Sequence, residues 1–202
     1  RAVRDPAMRR VLTPEELRFT PPELDEAAVA AFVRRHWGLR GNYRRLAGER
    51  DQNFRLRLDD DRQFVVKIAS QVEDPALVDY QVQALLHLAS RDGNLPTPHI
   101  RPALDGRPTR EFTTTEGHVH TMRVLSWVPG VPLASLPGLS LAAVRETGAL
   151  QGRLCRAFAD FTHPARNQLG VLGTEVQDED SVGMDILLRH GIQRLLRDNQ
   201  KR

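Results

Sequence analysis

The strongest constraint on the fold lies between residues 54 and 68, where the spacing of apolar side chains drops to two. Phe54, Leu56 and Leu58 alternate with Arg55 and Arg57. The run Asp59, Asp60, Asp61 and Arg62 interrupts, and Phe64, Val66 and Ile68 then alternate with Val65 and Lys67. Successive side chains on an extended strand point to opposite faces, so the pattern predicts a β-hairpin. Tyr43 to Leu46 supplies a third strand, joined to the hairpin through the polar residues 47–53. Upstream, the spacing of Leu24, Ala28, Ala31, Phe32 and Arg35 fits one helical face, with Thr20 as a cap and Gly38 as the stop.

After the hairpin the helical period returns through Leu77, Val78, Val82, Leu85, Leu86 and Leu88, with Asp74 as N-cap and Pro75 at the first helical position. Gly93, Pro96, Pro98 and Pro102 then punctuate the chain. Strands are expected near residues 99–102, 111–115 and 118–127, the last broken by Val128, Pro129 and Gly130. Residues 139–161 read as a helix through Leu141, Val144, Leu150, Leu154, Phe158 and Phe161, and residues 181–196 as a shorter one. The acidic run Asp178, Glu179 and Asp180 reads as a solvated turn. The expected architecture is α+β, an antiparallel sheet with packed helices. It divides into a flexible arm (1–21), a sheet-bearing lobe (22–130) and a partial helical lobe (131–202) whose tail is atypical after about residue 170.

Composition removes several classes of function. The 202 residues carry a formal net charge of +3, and the acidic residues are interleaved with the arginines while aromatics make up only 5%. No basic stripe forms, so no nucleic-acid partner is expected. No apolar run approaches the roughly 18 residues that span a bilayer, and the Arg-rich start has no secretory core, so the expected location is cytoplasmic, with no membrane partner. Cys155 is the single cysteine. It excludes an internal disulfide or a multi-cysteine zinc site and is expected to fill core. The histidines have no Cys, Asp or Glu at ligand spacing, so no metal site is expected, and His118 and His120 read as a solvated strand face. Trp37 and Trp127 read as packing residues.

Lys67 stands out because only two lysines, Lys67 and Lys201, occur in a chain that otherwise uses Arg. A strand Lys in that setting points to a compact ammonium on a flexible stem rather than a planar fork. The order of strand, polar loop, Lys-bearing hairpin, helix, further strands and a Pro-Gly break is also the order that opens protein-kinase-like folds, where a strand-three Lys meets nucleotide phosphates.

Three stretches carry a more specific likeness: Gly48-Glu49-Arg50-Asp51-Gln52-Asn53-Phe54-Arg55-Leu56, Phe64-Val65-Val66-Lys67-Ile68-Ala69, and Val124-Leu125-Ser126-Trp127-Val128-Pro129-Gly130. With Glu73-Asp74-Pro75-Ala76-Leu77 and Leu95-Pro96-Thr97-Pro98, they make the chain resemble the aminoglycoside phosphotransferase and choline kinase-like family over about residues 24–165. Within it the likeness is to hydroxylysine kinase-like proteins. The resemblance implies ATP and Mg²⁺ as cofactors and a small hydroxylated amine or amino acid as acceptor. It also implies a kinase-like N-lobe followed by the first helices of a C-lobe. By the same likeness Lys67 contacts the ATP phosphates, Asn53 and its flanking backbone close over them, and Ser126, Trp127 and Val128 border the adenine.

The sequence departs from the family pattern in its loop, its helix and its downstream motifs. The phosphate loop has one glycine, Gly48, and Arg50 either compensates by binding phosphate or pairs with Glu49 or Asp51. The helix after Lys67 offers Asp79 or Gln81 where a Glu partner is expected. No catalytic Asp with a following Asn is recognisable: the string Arg189-His190-Gly191-Ile192 has Ile where the Asp belongs. The expectation is a phosphotransferase chain truncated before its catalytic loop, or alternatively a catalytically inactive nucleotide-binding or regulatory fragment. On either reading Leu150, Leu154 and Phe158 would lack part of their packing.

Overall fold

The alternation at residues 54–68 is realised as a hairpin inside a larger sheet. The computed structural model describes residues 21–48, 50–131, 138 and 140–161. The predicted arm up to residue 20 and the predicted helix at 181–196 lie outside them. Among the described residues the elements run in the order α1 (Glu26–Trp37), β1 (Asn42–Leu46), β2 (Gln52–Arg57), β3 (Gln63–Ile68), α2 (Pro75–Arg91), β4 (Ile100–Arg101), β5 (Thr109–Thr113), β6 (Val119–Ser126) and α3 (Leu141–Ala157).

Local chemistry sets most of these boundaries. α1 is capped by Asp25, whose carboxylate accepts from the Ala28 N–H at 3.0 Å, and not by Thr20, which falls too early. It ends at Gly38, whose φ of 69° is the left-handed turn that a residue without Cβ adopts freely. α2 begins as predicted, with the Asp74 carboxylate accepting from Ala76 N–H and Pro75 in the first turn. The hairpin turn closes through Leu58 N–H to Arg62 O at 2.9 Å and Asp61 N–H to Leu58 O at 3.1 Å. Asp61 takes φ 65°, a conformation that a short polar side chain tolerates.

The strands form one antiparallel sheet in the order β1-β2-β3-β6-β4, with β5 also paired to β6. β6 is the hub. It joins β3 along residues 122–126, β5 along its first half and β4 near its end. One face buries Phe54, Leu56, Phe64, Val66, Ile68, Met122 and Val124 against Val29, Val33 and Trp37 of α1. Gln52, also buried, fixes the entry to α1 by exchanging two hydrogen bonds with the Leu24 backbone at 2.8 and 2.9 Å. On the opposite face Val65 and Leu125 pack with Leu85 and Leu88 of α2 and Leu150 and Leu154 of α3.

Three sequence expectations are corrected here. Leu150 and Leu154 are buried, not left without partners, because α3 lies on α2 and the sheet; the exposed apolar residues of α3 are Leu141 and Val144. Cys155 is exposed. It follows Leu154 by one residue, which at 3.6 residues per turn carries it off the buried stripe. His120 is buried, with Nδ1 2.9 Å from Ala69 O, so the two-histidine face is not uniformly solvated.

Candidate functional site

On the α2 face, three polar side chains stand side by side across three strands. The register places Asn53 of β2 opposite Lys67 of β3, and Lys67 opposite Arg123 of β6. Two cations directly opposite on paired strands repel each other. Here both are also largely withdrawn from water, Lys67 with 16% of its side chain exposed and Arg123 with 3%. The arrangement persists because one carboxylate serves both. Asp51 Oδ2, in the loop between β1 and β2, lies 3.1 Å from Lys67 Nζ and 3.3 Å from Arg123 Nη2. Arg123 Nη2 also donates to Gln81 Oε1 of α2 at 2.7 Å.

Burial pushes the Lys67 ammonium below its ordinary proton affinity, with the Asp51 carboxylate opposing that shift and the Arg123 charge adding to it. Burial likewise raises the Glu73 carboxyl, against the pull of Arg50. At its centre two largely buried cations, Lys67 and Arg123, face one carboxylate, Asp51, with Arg50 and Glu73 at the edge. Fixed positive charge in excess at a partly dry site is the condition for binding a polyanion. Two buried polar atoms, Arg123 Nη1 and Asn53 Oδ1, have no hydrogen-bond partner among the described residues.

The loop that carries Asp51 is shaped for close approach of its own backbone. Asn53 Nδ2 donates to Asp51 O at 3.1 Å, and a Cβ on Gly48 would collide with both groups. One glycine therefore suffices to fold the loop over the Asn53 side chain. Arg50 is exposed on this loop, beside Glu73; of its two expected partners Asp51 is turned inward to Lys67, and Glu49 lies outside the described residues.

At the other end of the face, Trp127 lies under the Arg55 guanidinium, 4.3 Å from ring centroid to Cζ, and Arg55 Nε donates to Gln63 Oε1 at 2.8 Å. Val128 is buried beyond it. Ser126 Oγ accepts from the His99 N–H at 2.9 Å, which ties β6 to the segment before β4.

The structure therefore gathers Lys67, Asn53 and Gln81 in one cluster and places Arg50 at its edge, with Ser126, Trp127 and Val128 at the far end of β6. The helix-borne partner predicted for Lys67 is corrected: the carboxylate it meets is Asp51, while Gln81 bonds Arg123 and the exposed Asp79 accepts from Gln83 at 3.2 Å. Sequence reasoning missed Asp51 and Arg123 as site residues. A usable signal existed for Arg123, an Arg set among Met122, Val124 and Leu125 in a strand that is otherwise apolar at its centre.

Comparison with known proteins agrees with this architecture. The model of the phosphotransferase enzyme family matches residues 42–182, well over half the chain, and the chain belongs to that family. A solved structure of the amicoumacin kinase hAmiN in complex with AMP-PNP, Ca²⁺ and Ami is similar at 13% identity and a TM-score of 0.56, over 70% of this chain and 42% of that one. A microcompartment-associated aminopropanol kinase is similar at 17% identity and a TM-score of 0.53, over 69% and 43%. The chain thus spans less than half the length of either solved protein. No curated protein matches it. At these identities the likeness is one of fold, that of a kinase-like N-lobe followed by helix.

Proposed function

We propose that the chain binds ATP on the Lys67 face of the sheet, as part of a phosphotransferase that phosphorylates the hydroxyl of a small amine or amino acid. The observation that carries this reading is the Asn53–Lys67–Arg123 row, where two cations largely withdrawn from water share a single carboxylate oxygen of Asp51. A nucleotide phosphate oxygen would meet the Lys67 ammonium, and the loop between β1 and β2, held by Asn53, would close over it with Arg50 at the rim. Trp127 and Val128 would border the base. Bound ATP supplies the transferable phosphoryl group. These residues supply its position and a compensating charge, which is the main work a protein does in this chemistry.

Magnesium is expected to accompany the nucleotide. Among the described residues no three His, Cys, Asp or Glu side chains gather to hold a metal ion. A second reading, nucleotide binding without phosphoryl transfer, is favoured by one sequence observation: none of the seven histidines is followed two residues on by Asp.

Titration of the purified chain with MgATP tests binding, and ADP release in the presence of hydroxylysine, choline or an aminoglycoside tests transfer. Release stimulated by one of these acceptors supports the phosphotransferase. Binding with no release selects the second reading, and absence of binding removes both.

Among the described residues no helix is long and apolar enough to cross a membrane. A cytoplasmic setting belongs to the same proposal.

A further inference from the structure

Arg123 has no role in the reading above beyond its charge, yet it is the costliest residue in the cluster. Among the described residues it is the one Arg, Lys, Asp or Glu that is fully buried. It stands beside another cation, and one of its nitrogens, Nη1, is buried with no acceptor among the described residues. A packed apolar side chain at this position would avoid both penalties. Such a side chain would lack the bonding of the other nitrogen: Nη2 reaches Gln81 Oε1 at 2.7 Å and Asp51 Oδ2 at 3.3 Å, and so joins α2, β6 and the β1–β2 loop at one atom.

The geometry points to Arg123 as a positioning residue: by binding Gln81 of α2 and Asp51 of the loop together, it holds the loop carboxylate on Lys67 and so sets where the ammonium stands. This inference rests on the ATP reading of the same site. Lys67 is linked to α2 here through a strand Arg and a loop Asp in series. The links run from Gln81 to Arg123, from Arg123 to Asp51 and from Asp51 to Lys67, and each step lies within 3.3 Å. Gln81 carries no charge, so it orients the guanidinium without drawing it away from Asp51. A Glu at that position would compete for it.

The test compares two ligands, MgATP and adenosine, by calorimetric titration of Arg123→Met, Gln81→Leu, Arg123→Lys and Lys67→Ala. A residue that places Lys67 for phosphate affects the phosphate-bearing ligand selectively. A residue that merely supports the fold weakens both ligands alike. Arg123→Met is expected to lose about tenfold in MgATP affinity while adenosine stays within about twofold, and Gln81→Leu to lose about threefold in the same selective way. Arg123→Lys, which keeps the charge but not the planar fork, is expected to fall between wild type and Arg123→Met. Equal weakening of both ligands, or MgATP affinity in Arg123→Met within about twofold of wild type, overturns the inference. Should Arg123→Met fail to fold, Gln81→Leu on the helix surface decides by the same ratio. The Lys67→Ala arm separates the two failures. If it binds MgATP like wild type, the nucleotide reading itself is wrong; if it loses binding while Arg123→Met does not, that reading stands and the role of Arg123 falls.

Discussion

Two neighbouring cross-strand rows of the same sheet, Phe54–Val66–Val124 and Asn53–Lys67–Arg123, differ by one residue along each strand and point to opposite sides. The first is fully matched. All three side chains are buried against α1 and each meets a neighbour of its own kind. The second is left unmatched, with two cations, one shared carboxylate and two polar atoms that find no partner among the described residues. A fold gains nothing in stability from the second arrangement that apolar residues would not supply more cheaply. The contrast separates the face that holds the lobe together from the face available for a ligand.

The contrast can be broken by exchanging the consequences of the two rows. Phe54→Ala is expected to have the largest effect, a loss of about 3–5 kcal/mol of stability from the cavity beneath α1. MgATP affinity of the folded fraction should change little, and denaturant melts alongside titration below the melt would check both. Lys67→Met should do the reverse. Its stability is expected to match or slightly exceed wild type, while MgATP binding weakens by about 1.5–3 kcal/mol, on the order of ten- to a hundredfold. A large drop in melting temperature for Lys67→Met would contradict the division of labour.

A pH series sharpens the same comparison. Burial lowers the Lys67 proton affinity in the folded chain below its ordinary value of 10.5, so the unfolded chain holds more protons in the window between the two. Stability contributed by this group is therefore present above 10.5 and lost as pH falls through the lowered value, whereas phosphate binding requires the protonated amine and declines as pH rises. Binding and stability should move in opposite directions across that window. In Asp51→Asn, which removes the charge that opposes the shift, the alkaline loss of MgATP binding is expected at lower pH than in wild type. An unmoved limb would mean that Asp51 does not govern Lys67.

The smallest effect is expected at the rim of the apolar face. The Tyr43 hydroxyl is buried with no hydrogen-bond partner among the described residues, and burial pushes its pKa up to about 12, helped by Glu26. Tyr43→Phe removes the orphaned group while keeping the ring against Phe54, 6.0 Å away between centroids, and should gain about 1 kcal/mol. Equilibrium unfolding of the variant would show the sign.

Much of the lobe was legible from spacing alone. The hairpin, β1 and α2 fall where the period of the apolar residues places them, because alternation and capping depend on residues close in the chain. Errors arose where a decision depended on neighbours far away. β5 begins two residues earlier than expected, set by its pairing with β6, and His120 is drawn inward by the Ala69 carbonyl. The site divided in the same way. Lys67, Asn53 and Arg50 are legible because they lie on one hairpin and its preceding loop, while local spacing offers Asp51 only as a partner for Arg50 and gives Arg123 no role.

The sequence by itself determined which side chains share a face of each strand, where α2 begins and where α1 stops, since these depend on backbone geometry over a few residues. Only the tertiary structure decided that β6 lies beside β3 in the register that sets Arg123 opposite Lys67, and that Asp51 turns inward to serve both. Strand pairing is a contest among distant segments, settled by the burial of whole faces. No local pattern records which cation will stand next to which.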